Sequence, residues 1–208
     1  MKLKKSVKRF LFIVFLLILI VVVSYYLFFT NDKKTTRKVK ILNEIKEYGY
    51  KLNDHKNDVY KKLFSTLEKD LKEDPVDEEK YVKTISQMFI VDFYSLEDKL
   101  AKTDVGGCDF VHSDALVDFL EKAQDTMYKY VESDIYGDRT QALPSVSEVE
   151  VKSVEQETFT YKDQVDDQAY VVEVSWKYTD TSNSSGYQDQ ATLVFVHEDK
   201  KLSLVELR

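Results

Sequence analysis

Cysteine, proline and glycine are all scarce in this chain of 208 residues, which contains one, two and five of them respectively. The single cysteine, Cys108, excludes an internal disulfide, so the hydrophobic core must hold the fold together. Low glycine and proline, combined with abundant lysine, aspartate and tyrosine, are typical of a bacterium with an AT-rich genome.

Histidine is scarce as well. His55, His112 and His197 are far apart in the sequence and lack the short ligand spacing of a zinc site. The three aspartates within 163–167 lack the Asp-x-Asp-x-Asp-Gly pattern of a calcium loop, so we interpret them as a solvated turn. We therefore expect no metal site and no cofactor.

The charge of the chain is unevenly distributed. Residues 1–40 hold ten of the 30 Lys and Arg residues and one of the 37 Asp and Glu residues, which leaves 20 minus 36, or −16, for residues 41–208. Such a field repels nucleic acid and anionic wall polymers. The partners it permits are basic proteins, cations and neutral ligands.

One uncharged hydrophobic run, residues 10–29, stands out from this polar background. At roughly 1.5 Å per residue it would just cross a hydrocarbon core of about 30 Å. No small-residue cleavage site follows it, which disfavours a cleaved signal peptide. We therefore expect a retained transmembrane anchor, with the lipid bilayer as a partner.

The anchor divides the chain into four predicted segments. These are a cytoplasmic head (1–9), the anchor (10–29), a basic juxtamembrane linker (30–40) and an extracellular domain (41–208). Basic residues flank both ends of the anchor, so the positive-inside rule supports the two possible orientations almost equally. The short head favours a single-pass signal-anchor protein of a bacterial cell membrane, with its N-terminus in the cytoplasm.

Hydrophobic periodicity predicts a short strand near 46–52, followed by three helices. Asn57 or Asp58 can cap the first helix. Asp74 can cap the second helix, which has Pro75 at its first position, and Ser113 can cap the third. The helices are expected over about 58–72, 75–100 and 114–131.

From Ser145 onward the period changes to two, as in strands. Trp176 alternates with apolar neighbours, which places it on the helix-facing side of a sheet. Four strands are expected, at about 146–160, 168–179, 187–197 and 201–207. Helices that precede an antiparallel sheet predict an α+β domain with the helices on one face.

This order of elements resembles the nuclear-transport-factor-2-like cone, in which a curved antiparallel sheet wraps a long helix and leaves a pocket. With its anchor, the architecture is similar to that of the assembly subunits of type IV secretion and conjugation channels. The run 88–96, MFIVDFYSL, followed by DVGG at 104–107, also resembles uncharacterised membrane-anchored proteins of Gram-positive bacteria.

The resemblance implies a pocket in which relatives of this fold can run acid/base chemistry. Asp92 is the only carboxylate within the apolar run 88–94, and burial there is costly unless it is paired. We predict a ligand pocket formed by Asp92, Tyr94, Met88 and Trp176. In the structural alternative, Asp92 bonds a neighbouring loop at Gly106-Gly107.

A second candidate for chemistry is Cys108, four residues before His112. A cysteine nucleophile needs a base and an oxyanion donor. The alternative is a small buried cysteine that only packs, and we predict no catalytic residue.

Two functions are consistent with these observations. The first is a non-catalytic interaction or scaffold module on the outer side of a bacterial membrane, which binds envelope proteins or itself, within a secretion or conjugation apparatus. The alternative is a small-molecule sensor or acid/base enzyme that uses Asp92 and Tyr94. Side chains that fill the cone would favour the first, and an open cleft with Asp92 at its base would favour the second.

Overall fold

The computed structural model describes residues 5–29, 36–179 and 186–208. The predicted head, the predicted linker and the loop between the second and third predicted strands therefore fall partly outside the described residues. The chain divides into two compact units, Met1–Thr36 and Arg37–Arg208. Helix α1 (Lys5–Phe29) belongs to the first unit, and all other elements belong to the second.

Among the helices that the structure describes, none is long and apolar enough to cross a membrane. This finding contradicts the transmembrane anchor predicted over 10–29. The predictions that depend on the anchor are contradicted with it: the signal-anchor, the single-pass topology and the extracellular location.

The unit Arg37–Arg208 is an α+β fold. A two-stranded antiparallel sheet precedes three helices, and a four-stranded antiparallel sheet of order β3-β4-β5-β6 follows them. The elements are β1 (Ile41–Ile45), β2 (Tyr50–Asn53), α2 (Asp58–Asp70), α3 (Glu78–Tyr94), α4 (Leu116–Asp125), β3 (Val146–Tyr161), β4 (Gln164–Tyr178), β5 (Gln190–Glu198) and β6 (Lys201–Leu207).

Three local predictions need correction. The single short strand near 46–52 is a hairpin, because Gly49 adopts φ +72° and turns β1 back onto β2. The second helix begins later than predicted, because Asp77 rather than Asp74 accepts the hydrogen bond of a first-turn amide, Lys80 N–H, at 3.1 Å. It also ends at Tyr94 instead of near residue 100, because Ser95 adopts an extended conformation.

Of the two caps predicted for the first helix, Asn57 or Asp58, the structure shows Asn57, whose side chain accepts a hydrogen bond from Tyr60 N–H at 2.9 Å. The third helix differs from its prediction. Ser113 lies inside a 3-10 turn that spans Ser113–Ala115, and α4 begins only after that turn. His112 caps the turn, because its Nδ1 accepts from Asp114 N–H at 3.2 Å.

The main core lies between α3 and the sheet. Strand β4 buries alternate side chains on the helix-facing side and exposes Glu173 and Lys177 on the other side. Trp176 lies on the helix-facing side, as its alternation predicts, and its ring centroid is 4.4 Å from that of Tyr94 at the end of α3. This contact places the C-terminal end of α3 against the sheet, beside the cleft described next.

Candidate functional site

A cleft of about 780 Å³ opens between α4 and the sheet. We call it the α4 cleft. Strand β6 contributes Leu204–Leu207, the turn between β3 and β4 contributes Tyr161 and Lys162, and the end of α3 contributes Phe93 and Tyr94. The segment before β5 contributes residues 186–188. The remaining wall comes from α4 and the residues around it, chiefly Val111, Asp114, Asp118, Phe119, Lys122 and Met127.

The segment before α4 is held against the sheet by backbone bonding. His112 N–H donates to the carbonyl of Leu204 at 2.9 Å, and Val111 forms a parallel bridge with the same residue. The 3-10 turn follows directly and sets the start of α4. The apolar face of α4 therefore borders the cleft, with Phe119 packed against Phe93 at a ring distance of 5.2 Å.

Tyr94 is the only one of the predicted pocket residues that lines the α4 cleft. Its hydroxyl donates to Gln188 Oε1 at 2.9 Å. Burial, with the nearby Tyr178, raises the pKa of Tyr94 well above its ordinary value, so it stays a neutral donor. Trp176 packs behind it, and Met88 is fully buried in the core. The structure therefore brings Tyr94 and Trp176 together but does not open a pocket onto Met88.

Asp92 is absent from the cleft lining and lies in a buried ion cluster. Its Oδ1 accepts hydrogen bonds from Lys56 Nζ at 2.5 Å and from Lys99 Nζ at 2.9 Å. Its Oδ2 accepts from Gly107 N–H at 2.8 Å. Lys99 Nζ also donates to Asp98 at 2.6 Å. The structural alternative, in which Asp92 bonds the loop at Gly106-Gly107, is confirmed by the bond to Gly107.

The cluster fixes the ionisation of Asp92. Burial acts to raise its pKa, but the charges of Lys56 and Lys99 outweigh burial and hold the pKa well below its usual range. Burial likewise acts to lower the pKa of Lys99, and Asp92 and Asp98 reverse that effect and raise it. Asp92 is therefore ionised near neutral pH. A general acid or base works best when its pKa lies near the pH at which the protein operates, so Asp92 is poorly suited to that role.

The arrangement around Cys108 does not assemble a nucleophile. Its thiol donates to the carbonyl of Val105 at 3.2 Å. Burial, together with the charges of Asp92 and Asp109, raises the pKa of Cys108 to about 11, so the thiol is protonated at neutral pH. The imidazole of His112 accepts from a backbone amide of the following turn rather than from this thiol.

Sequence reasoning missed one polar cluster on the sheet. His197 Nδ1 lies 2.8 Å from Asp166 Oδ2, and its Nε2 lies 3.4 Å from Glu78 Oε2. Tyr170 Oη donates to the same Glu78 oxygen at 3.1 Å. The missed signal was strand length: β4 begins at Gln164, so Asp166 belongs to a strand beside β5 and not to a solvated turn.

Within the described ranges, no group of three or more His, Cys, Asp or Glu side chains could hold a metal ion.

No protein-family model, no curated protein and no solved structure matches this chain. The resemblance to the nuclear-transport-factor-2-like cone therefore stays a prediction.

Proposed function

We propose that the unit Arg37–Arg208 is a non-catalytic interaction module that binds a partner protein in the α4 cleft. The observation that carries the proposal is the position of Asp92. The carboxylate best suited by sequence to pocket chemistry is paired and ionised in the core, outside the open cleft. The site open to a partner is then a binding surface without a tuned acid or base.

The lining of the cleft supports binding. Leu207 and Tyr187 keep 36% and 37% of their surface exposed at its edge. Exposed apolar surface rimmed by polar groups is a common feature of protein-interaction sites. The charge of −16 on residues 41–208 disfavours nucleic acid as the occupant.

A small-molecule sensor is the second candidate, because the cleft volume of about 780 Å³ falls in the range of small-ligand sites. In a sensor, the Tyr94 hydroxyl would give up its hydrogen bond to Gln188 and bond to the ligand instead. Asp92 has no part in it. The two candidates differ in the area they require: a peptide would contact β6 and α4 together, whereas a small ligand would lie against Tyr94.

The test is selection of peptides from a random displayed library on the full-length chain, followed by affinity measurements on two matched variants. Leu207→Asp adds a charge to the cleft. Val165→Asp adds the same charge to a strand position outside the cleft that is 63% exposed. We expect selected peptides to lose at least about tenfold in affinity for Leu207→Asp and to bind Val165→Asp as they bind the parent.

Two results would refute the proposal. One is a library that yields no peptide, combined with small fragments that bind the parent chain and lose affinity in Tyr94→Phe, which would establish the sensor. The other is a set of selected peptides that bind the parent and Leu207→Asp equally well.

A further inference from the structure

The floor of the α4 cleft contains an open strand edge. In the order β3-β4-β5-β6, strand β6 pairs with β5 on one side only. Thr192 and Arg208 exchange both backbone hydrogen bonds, at 3.0 and 2.9 Å. Because bonding alternates along an antiparallel pair, the N–H and C=O of Leu207 point away from β5. Among the described residues, nothing bonds to these two groups.

The same edge already carries an isolated backbone bridge at its upstream end. The carbonyl of Leu204 accepts from His112 N–H, and Val111 bridges Leu204 in parallel. The chain then leaves this edge to form the 3-10 turn and α4. Beyond Leu204, the edge continues into the cleft through Val205 and Leu207.

The opposite edge of the sheet, strand β3, carries several charges and is partly capped by a side chain of α3. Strand β3 carries exposed glutamates at 148, 150, 155 and 157. Charged side chains on an edge strand disfavour pairing with another chain. Gln87 also caps part of that edge, since its Nε2 donates to the carbonyl of Val149 at 3.0 Å. Strand β6 also carries a charge at Glu206 and a bulge at Val205, but none of the described residues caps its edge at Leu207. Leu207 is therefore the point at which the sheet is open to strand addition.

We infer that the α4 cleft binds an extended segment of a basic partner protein, which adds to β6 as a fifth strand. This inference rests on the proposed function and specifies its ligand. The backbone of the segment pairs with Leu207, and its apolar side chains pack between β6 and Phe119 of α4. Strand addition to a sheet edge takes its affinity from main-chain bonds and its specificity from alternate side chains.

Charge selects the partner. The cleft lining carries three carboxylates, Asp114, Asp118 and Glu206, against two lysines. Lys162 already pairs with Asp114 at 3.2 Å, and Arg208 already pairs with Glu206 at 2.8 Å. Asp118 has no hydrogen bond or ion pair within the described part of the chain. With −16 on residues 41–208, a lysine- or arginine-bearing segment is favoured, and a second copy of this chain is repelled.

The experiment compares a selected peptide with two N-methylated forms, each methylated at alternate residues in one of the two possible registers. N-methylation removes the backbone donor and leaves the side chain in place. We expect one register to lose at least about tenfold in affinity for the full-length chain and the other to retain it. We also expect the selected peptides to carry net positive charge and to bind less tightly as salt is raised.

A matched pair of protein variants tests the same bond from the other side. Leu207→Pro removes an N–H that no acceptor in the described part of the chain uses, and proline is tolerated on an edge strand. Leu207→Val keeps that N–H. We expect at least about tenfold weaker binding to Leu207→Pro than to Leu207→Val. The methylated peptides leave the protein unchanged, so they decide the question even if the proline variant folds poorly.

Tight binding by both methylated registers would overturn strand addition. If Leu207→Asp still abolishes that binding, the cleft remains the interaction site and its ligand is not a strand. Selected peptides that are acidic would overturn the charge assignment. A library that yields no peptide, combined with fragments that bind the parent chain and lose affinity in Tyr94→Phe, would overturn both this inference and the proposed function.

Discussion

Asp92 Oδ1 accepts a hydrogen bond from Lys99 Nζ at 2.9 Å, and both side chains are buried. The pair joins the last turns of α3 to the segment that follows the helix. Lys56, from the segment before α2, donates to the same oxygen, and Gly107 donates to the other. One carboxylate therefore connects three separate stretches of chain to α3. Its role is to hold these segments in place, and this is why we separate it from the binding site.

Replacing Asp92 by asparagine removes the charge that neutralises two buried lysines. Breaking a buried ion pair by removing one partner typically costs about 3–5 kcal/mol. We expect Asp92→Asn to lower the free energy of unfolding of the full-length chain by about this amount, measured by urea denaturation at pH 7. Asp58→Asn is the control, because that side chain is 90% exposed and its ion pair with Lys61 should contribute less than about 1 kcal/mol. Equal stability of the two variants would contradict the account.

Gly106 lies so close to α3 that a side chain does not fit. A Cβ at this position would lie 2.1 Å from the carbonyl oxygen of Asp92, a backbone atom that cannot rotate away. We expect Gly106→Ala to lower the free energy of unfolding by about 3 kcal/mol, at the upper end of overpacking effects. At Gly49 a Cβ would meet nothing within 4 Å, and only its φ of +72° opposes alanine. Gly49→Ala should therefore cost only about 1–2 kcal/mol, and the reverse order would contradict the placement of Gly106.

His197 should make stability depend on pH. Burial acts to lower its pKa, but the hydrogen bonds and charges of Asp166 and Glu78 outweigh burial and raise it. A histidine with a raised folded-state pKa stabilises the protein fully below its unfolded pKa of about 6.5, and this stabilisation is lost as pH rises through the folded pKa. The advantage of the parent chain over His197→Gln in free energy of unfolding should be largest near about pH 5.5 and should shrink at higher pH.

The size of that advantage is limited, because one third of the His197 side chain is exposed and solvent screens its ion pairs. The decisive observation is the sign of the change with pH. Asp166→Asn should flatten the pH dependence, since it removes the carboxylate at 2.8 Å. An advantage that is constant from about pH 5 to 9 would exclude an ionic role for His197.

Local patterns identified the elements whose contacts are near in sequence. The alternation around Trp176 predicted both the strand and its buried face, and the position before an apolar stripe narrowed the cap of α2 to Asn57 or Asp58. Asp74 was misassigned because Asp77 competes for the same role three residues later, and sequence alone gives no ranking between two such caps.

The candidate site was harder to predict because its chemistry depends on distant contacts. Asp92 was correctly singled out as a carboxylate that needs a partner in an apolar run, but Lys56 reaches it from 36 residues away. No periodicity predicts that pairing. The α4 cleft was missed for the same reason, since its two walls, α4 and β6, are separated by most of the sheet in the sequence.

Amide hydrogen exchange at Leu207 tests the central claim most directly. The full-length chain would be measured with and without a saturating selected peptide, with Arg208 as the internal reference because its N–H already bonds to Thr192 at 2.9 Å. The account predicts that the peptide slows exchange of the Leu207 amide by at least about tenfold and changes that of Arg208 much less. A bound peptide that leaves exchange at Leu207 unchanged would contradict it.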